Sequence, residues 1–307
     1  MGGAGFSREW GVAMLKSGWG RRALLLGCAV LLLFAEGEGA AAGTNAETER
    51  LVGSGMNAET ERLVRANESR PKLNWADMQR RYRGAFILSA PGRPRQVALT
   101  FDDVPDPRFT PQVLDILKEK RVHATFFVVG MKAAKHPGLV KRIHAEGHAI
   151  GNHSFSHPDF SRLSTRKMVS EIERTGAIIR KQIGFVPKLI RPPYGEITEP
   201  QLKWAISQGY TVVNWNVDSL DWRQLQAPEI IRNVTEAVRP GSIILLHAGG
   251  GVGQDLSGTV EALPRLIDWL RAKGYEPVAL TEMLAVPESG PRIRAASWQL
   301  PFARGAG

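Results

Sequence analysis

The chain has 307 residues, of which 43% are hydrophobic and 23% are charged. This composition excludes wholesale disorder and collagen-like structure, and the length allows one or two domains or a single α/β barrel. Cys28 is the only cysteine, which excludes a disulfide framework and a cysteine-based zinc site. The formal net charge of +10 favours anionic partners such as a cell wall, an acidic membrane or nucleic acid. Because the basic residues are scattered rather than grouped in blocks, we expect no nucleic-acid partner.

The amino terminus is predicted to be an export signal. Two arginines at positions 21 and 22 precede an apolar run, Ala23 to Phe34, and three alanines follow at positions 40–42. The run is shorter than the roughly 18–20 residues that cross a bilayer, which favours a cleaved signal over an uncleaved anchor. We therefore predict a signal peptide or anchor over residues 1–42, cleavage near Gly43, and an exported protein that contacts membrane only through this segment.

Two further segments lack the pattern of a folded domain. The eight residues Asn45–Val52 recur without change at Asn57–Val64, but one duplicated unit is too little for a solenoid. We predict a linker over residues 43–93. Residues 287–307 carry Pro, Gly and Arg without apolar periodicity, and we predict a flexible tail there.

Between residues 94 and 286, short apolar runs alternate with helical patterns. The runs predict strands at Val97–Phe101, Thr125–Val129, Ala149–Gly151, Leu189–Arg191, Thr211–Trp215, Ile243–Leu246 and Pro277–Leu280. Helices are predicted at Pro111–Lys120, after the capping residue Ser164, at Pro228–Val238 and at Thr259–Ala272. This alternation predicts a parallel sheet, in an open doubly wound form or as a closed barrel, with the chemistry at the strand ends.

The ends of the first and third predicted strands carry candidate metal ligands. Asp102 and Asp103 close the first strand, so one carboxylate can hold a cation while the other handles a proton; the alternative is a structural turn or cap. His153 and His157 follow the third strand, and their four-residue spacing predicts two imidazoles on one face of a helical turn. Together with Asp103 they form a ligand set that zinc and its neighbours prefer.

The later strands end in residues suited to proton transfer and substrate binding. Arg191 can pair with a carboxylate, and a backbone N–H after the two following prolines can face an oxyanion. Trp222 lies beside Asp221 after the fifth strand, where an exposed indole would form a wall for sugar stacking and a buried one would belong to the core. His247 ends the sixth strand and is a candidate general acid.

These five signals occur in one order, each at a strand end, and together resemble the polysaccharide deacetylases of carbohydrate esterase family 4 over residues 97–284. The resemblance implies a deformed (β/α) barrel of about seven parallel strands, similar to a TIM barrel. It also implies metal-dependent removal of N-acetyl groups from amino sugars. We therefore predict one catalytic domain over residues 94–286.

The resemblance implies a role for each residue of the five motifs. The proton-transfer residues are the base Asp102, its partner Arg191, the acid His247 and its partner Asp221. The metal ligands are Asp103, His153 and His157. The substrate-binding residues are Tyr194 (through its backbone N–H at the oxyanion), Trp222 in the groove and Leu245 at the acetyl methyl group. The cofactor is expected to be a divalent metal, zinc first, with cobalt or nickel as alternatives.

The turn after the two aspartates departs from the family pattern, and the glycines at 249–251 stand where an acidic residue next to the histidine is more usual. The family usually has Gly-Pro after the two aspartates, and this chain has Val104-Pro105. Because valine does not readily adopt a positive φ, we expect the turn either to avoid that conformation at residue 104 or to be strained there.

The expected substrate is an extracellular amino-sugar polysaccharide, peptidoglycan first and chitin-type oligomers second. Two alternatives stay open: a metal-dependent hydrolase of another non-peptide C–N bond, and an inactive carbohydrate-binding relative. The sequence makes no prediction of the oligomeric state.

Overall fold

A computed structural model describes residues 73–90, 92–287 and 289. The predicted export signal, the duplicated segment and all but the first residues of the predicted tail lie outside the described residues. Among the described helices, none combines the length and apolar character that a membrane span requires.

Nine parallel strands in the described part of the chain form one sheet. In chain order they are β1 Phe86–Ile87, β2 Gln96–Val104, β3 Thr125–Val128, β4 Ala149–Asn152, β5 Leu189–Ile190, β6 Thr211–Val213, β7 Val217–Asp218, β8 Ile243–His247 and β9 Glu276–Pro277. Their spatial order is β1-β6-β5-β4-β3-β2-β8-β7, and β9 pairs with the start of β2. The first long strand, β2, is thus flanked by β3 on one side and by the late strand β8 on the other.

Helices connect these strands. They are α1 Trp75–Arg81, α2 Thr110–Lys120, α3 Gly130–Lys135, α4 Pro137–Ala145, α5 Thr165–Ile183, α6 Glu199–Ser207, α7 Ala227–Ala237, α8 Ser257–Ala272 and α9 Leu280–Leu284. As predicted, the Ser164 side chain caps α5, where it accepts the backbone N–H of Lys167. Short 3₁₀ turns follow β4, β5 and β7, at Phe160–Arg162, Pro193–Gly195 and Asp221–Arg223.

The sheet curls into a deformed barrel, as predicted. The segment between β6 and β7 passes from one end of the strand order to the other. The N–H of Asn214 donates to Ile87 on β1, and the N–H of Asn216 donates to Ile243 on β8. An antiparallel bridge between Ser89 and Ser242 joins the same two edges of the sheet.

Alternating side chains of β2 divide the core into two layers. Leu99 and Phe101 point outward into the cluster shared with α2 and α8. Ala98 points inward with apolar residues of β1, β3, β5, β6 and β8. Thr100 and Asp102 continue this inward series with polar side chains. The period-2 alternation therefore places a carboxylate inside the barrel at the carboxyl end of β2.

Two sequence-based predictions need correction. The segment Pro277–Leu280 is not one strand: β9 ends at Pro277, and α9 begins at Leu280. The folded region also begins before residue 94, because α1 and β1 lie within the predicted linker. Phe86 of β1 is fully buried and is the register partner of Val212 on β6. A two-residue strand carries too little sequence for its periodicity to be recognised.

Candidate active site

The barrel register brings the polar strand ends together. Asp102 on β2 is the register partner of His247 on β8. Asn152 on β4 pairs with Ile190 on β5, so the residues that follow them, His153 and Arg191, are also neighbours. Residues from distant parts of the chain therefore line one end of the barrel, where active sites of such folds lie.

Three side chains form a cluster that fits a metal ion. One ligand atom from each of Asp103, His153 and His157 lies within 4.8 Å of the other two. The Oδ1 of Asp103 is 3.3 Å from the Nε2 of His157 and 3.8 Å from the Nε2 of His153. Two imidazole nitrogens and a carboxylate oxygen are ligands that zinc and related divalent metals accept.

The protonation states of His153 and Asp103 suit a cation. Burial lowers the pKa of His153 to about 4, although the Asp102 charge opposes this effect, so its imidazole is neutral near neutral pH. Its Nδ1 lies 2.7 Å from the Arg191 carbonyl oxygen and donates to it, which leaves the Nε2 lone pair for a metal. Burial would raise the pKa of Asp103, but His157 and Lys132 outweigh it and hold this pKa well below its usual range.

The segment between the two histidines is a loop, not the predicted helical turn. β4 ends at Asn152, and the backbone is left-handed at Ser154, with φ 67°, and at His157, with φ 59°. The Ser154 hydroxyl accepts the His157 N–H at 2.9 Å. From α5, the Glu171 carboxylate accepts the N–H groups of Phe155 at 2.9 Å and Ser156 at 2.7 Å. These bonds, rather than helical spacing, bring the two imidazoles together.

Asp102 is held by a buried arginine, as the sequence predicted. The Arg191 Nη1 lies 2.8 Å from the Asp102 Oδ1 and 2.8 Å from the Thr100 hydroxyl. Its other nitrogens donate to the carbonyls of Val213 and Asn214. Because Arg191 is fully buried, its guanidinium is fixed and holds the Asp102 carboxylate in one orientation.

His247 forms a second buried pair with Asp221. The His247 Nδ1 lies 2.7 Å from the Asp221 Oδ1, and the backbone N–H of His247 donates to the Asp221 Oδ2. The Thr259 hydroxyl donates to that same oxygen at 2.8 Å. Burial alone would lower the pKa of His247, but the charge and hydrogen bond of Asp221 raise it to about 9. The imidazole is therefore protonated at neutral pH, as a general acid requires.

The three predicted substrate-binding residues lie around these groups. Tyr194 is exposed, has a left-handed backbone with φ 59°, and its ring centre lies 4.9 Å from that of His157. Trp222 is 47% exposed, so it is not a core residue. Leu245 is buried on β8, two residues before His247 on the same strand face.

The turn after the aspartates avoids a positive φ at Val104. The left-handed residue is Asp103, with φ 63°, and Val104 continues β2 with its carbonyl accepting the Val129 N–H. Aspartate tolerates this conformation better than a β-branched residue does. Gly249 is needed beside this turn, because a Cβ there would collide with the carbonyl oxygen of Asp103.

Sequence reasoning missed three residues that support the site. Lys132 contacts the backbone of Asp103, Glu171 holds the loop between the two histidines, and Thr259 holds Asp221. All three lie on helices far along the chain from the residues they contact. The sequence carries no local signal for them, because a polar residue on an amphipathic helix is expected to face solvent.

A parallel barrel with a His-His-Asp cluster between a buried Asp–Arg pair and a buried His–Asp pair defines the polysaccharide deacetylase class of hydrolases. The family model described as polysaccharide deacetylase matches residues 89–213. A peptidoglycan-N-acetylglucosamine deacetylase of Bacillus cereus is 46% identical over 199 residues, which are 65% of this chain and 72% of the relative. A chitooligosaccharide deacetylase of Bradyrhizobium is 40% identical over 191 residues, 59% of this chain and 87% of the relative.

A solved structure supports the same family as these relatives. A crystal structure of a peptidoglycan N-acetylglucosamine deacetylase is 45% identical, with a TM-score of 0.65, and the match covers 67% of this chain and 95% of that chain. The chain belongs to the polysaccharide deacetylase family, carbohydrate esterase family 4. It is thus a hydrolase of carbon–nitrogen, non-peptide bonds.

Proposed function

We propose that this protein removes N-acetyl groups from the amino sugars of an extracellular polysaccharide, with N-acetylglucosamine of peptidoglycan as the first candidate. The observation that carries the proposal is the cluster of Asp103, His153 and His157, with ligand atoms within 4.8 Å, beside the register pair Asp102 and His247. A cation site flanked by a carboxylate and a protonated imidazole provides the groups that amide hydrolysis requires.

The metal in this proposal is zinc, with cobalt or nickel as alternatives. The donor set is two imidazoles and one carboxylate, and the Nδ1 of His153 is already engaged by the Arg191 carbonyl. Such an outer hydrogen bond fixes the tautomer and orientation of a ligating histidine. A divalent cation bound by these three residues supplies Lewis-acid catalysis.

The proposed mechanism assigns the two proton transfers to two residues. Asp102, oriented by Arg191, takes a proton from the water that attacks the acetyl carbonyl carbon. The Tyr194 N–H contributes to stabilising the tetrahedral oxyanion. His247, protonated and held by Asp221, donates a proton to the amine nitrogen as the C–N bond breaks. Acetate and the free amino sugar are the products.

Three features favour an extracellular wall polymer as the substrate. The relatives with the names given above act on peptidoglycan N-acetylglucosamine and on chitooligosaccharides. The net charge of +10 favours association with an anionic wall. Trp222, half exposed and directly after Asp221, provides an apolar face for a sugar ring. Chitin-type oligomers are the second candidate. In either case the predicted export signal supports a location outside the cytoplasm.

The test is incubation of the zinc-loaded, purified protein with peptidoglycan fragments and with chitooligosaccharides. We expect mass spectrometry to show loss of acetyl groups with matching release of acetate, and faster loss from peptidoglycan. Asp102→Asn protein is the control for a contaminating activity. Ammonia release from small amides without acetate release would instead favour another C–N hydrolase. Binding without any product would favour an inactive carbohydrate-binding protein.

A further inference from the structure

Lys132, on α3, makes two hydrogen bonds that join separate parts of the site. Its Nζ donates to the carbonyl oxygen of Asp103 at 2.7 Å and to the carbonyl oxygen of Gly250 at 3.1 Å. The first acceptor is the backbone of a proposed metal ligand. The second lies three residues beyond His247, the proposed acid. One ammonium group therefore contacts both the turn at Asp103 and the loop after His247.

The contact with Asp103 restrains an unusual backbone. Asp103 is left-handed, with φ 63°, and this conformation directs its carboxylate to within 3.3 Å of the His157 Nε2. A left-handed non-glycine residue persists only where its surroundings hold it. Gly249 packs so closely on the Asp103 carbonyl that no side chain fits there. The Asp103 carbonyl is thus held between Gly249 and the Lys132 ammonium.

The contact with Gly250 belongs to a wider hydrogen-bond network that fixes the loop after His247. The Asp106 carboxylate accepts the Gly250 N–H at 3.4 Å and binds the Arg108 guanidinium at 2.7 Å. Arg108 in turn donates to the Gly251 carbonyl at 3.1 Å. In this network Lys132 is the side chain that contacts both the turn at Asp103 and the loop at Gly250.

We propose that Lys132 is a positioning residue that fixes the Asp103 carboxylate for metal binding and couples it to the loop after His247. The inference rests on the proposed metal function of Asp103. The inference predicts the direction in which metal affinity changes when Lys132 is removed. A positive charge near a cation site weakens cation binding unless the hydrogen bonds of the charged group contribute more. Removal of Lys132 therefore weakens metal binding if it positions Asp103, and strengthens it if Lys132 acts only through its charge.

The test measures zinc affinity of the full chain by competition with a chromogenic chelator. Lys132→Met removes the ammonium and keeps most of the apolar stem, and we expect its zinc affinity to fall about 10–100-fold, as is usual for groups that support metal ligands. Lys132→Arg keeps a charged donor and should restore part of the loss. Lys135→Met, on the same helix but exposed, is the matched control and should bind zinc like the wild type.

Two further measurements separate positioning from a loss of structure. The metal-free Lys132→Met protein should unfold at the same temperature as the metal-free wild type within a few degrees. If the Lys132→Met protein does not fold, the Lys132→Gln protein replaces it. Glutamine keeps a hydrogen-bond donor but lacks the charge, so this variant should also bind zinc more weakly than the wild type. At saturating zinc, kcat should fall while KM for the polysaccharide stays constant. Unchanged or tighter zinc binding by a folded variant would overturn the inference, whereas a wild type without zinc affinity would refute the proposed function itself.

Discussion

Asp102 and His247 are register partners on the neighbouring parallel strands β2 and β8. They belong to the first and sixth strands predicted from the sequence, and the curled sheet makes these two strands adjacent. A carboxylate bound to Arg191 thus lies beside an imidazole bound to Asp221. One pair contains the proposed base and the other contains the proposed acid of one reaction.

The first prediction concerns Asp102. Replacing it with Asn keeps the shape of the side chain and removes the basic oxygen, so the water is no longer deprotonated. We expect deacetylation to slow roughly 10²–10⁴-fold, the usual contribution of one general base. Zinc content, measured by elemental analysis, should stay at the wild-type level because Asp102 is not among the three proposed ligands. A rate within a few-fold of the wild type would exclude Asp102 as the base.

The second prediction concerns the pH profile. The rate should fall at alkaline pH as His247 loses its proton near its raised pKa of about 9. Asp221 raises this pKa, whereas burial lowers it. Asp221→Asn should therefore shift the alkaline limb to lower pH, measured as kcat against pH. An alkaline limb that does not move would show that His247 is not the group that titrates there.

The third prediction tests whether His247 donates a proton to the leaving group, by comparing two substrates whose leaving groups differ. His247→Ala should slow hydrolysis of the N-acetyl amide roughly 10²–10⁴-fold, because the amine must be protonated to leave. An activated aryl acetate has a leaving group that needs no proton, so its hydrolysis should be much less affected. Equal slowing of both substrates would limit His247 to a role in shaping the pocket.

The fourth prediction concerns the metal. His153→Ala should leave a folded protein with little zinc and little activity, since it removes one of three ligands. His123→Ala is the matched control, because His123 is exposed and is not among the clustered ligands. Zinc content by elemental analysis and folding by circular dichroism are the measurements. Full zinc occupancy in the His153 variant would refute the ligand assignment.

The fifth prediction concerns the amino terminus. If residues 1–42 are a cleaved signal, the protein isolated from its native host should begin near Gly43 and should be found outside the cytoplasm. Amino-terminal sequencing of the cell fractions is the measurement. An intact, uncleaved terminus in the membrane fraction would favour an uncleaved anchor instead.

The sequence by itself determined the parallel α/β class and the residues at the strand ends. Buried parallel strands are short continuous apolar runs, so a polar residue directly after such a run marks the end of the strand. This local signal was enough to select Asp102, Asp103 and His247. It needed no knowledge of which strands are neighbours.

Only the tertiary structure decided how these residues meet. The adjacency of β2 and β8 depends on closure of the sheet, which no local pattern encodes. The two histidines approach each other through left-handed loop residues and Glu171 of α5, not through a helical turn. Lys132 reaches Asp103 from another helix. Such contacts join residues far apart in the chain, and they form only after burial of the apolar strands has fixed the barrel.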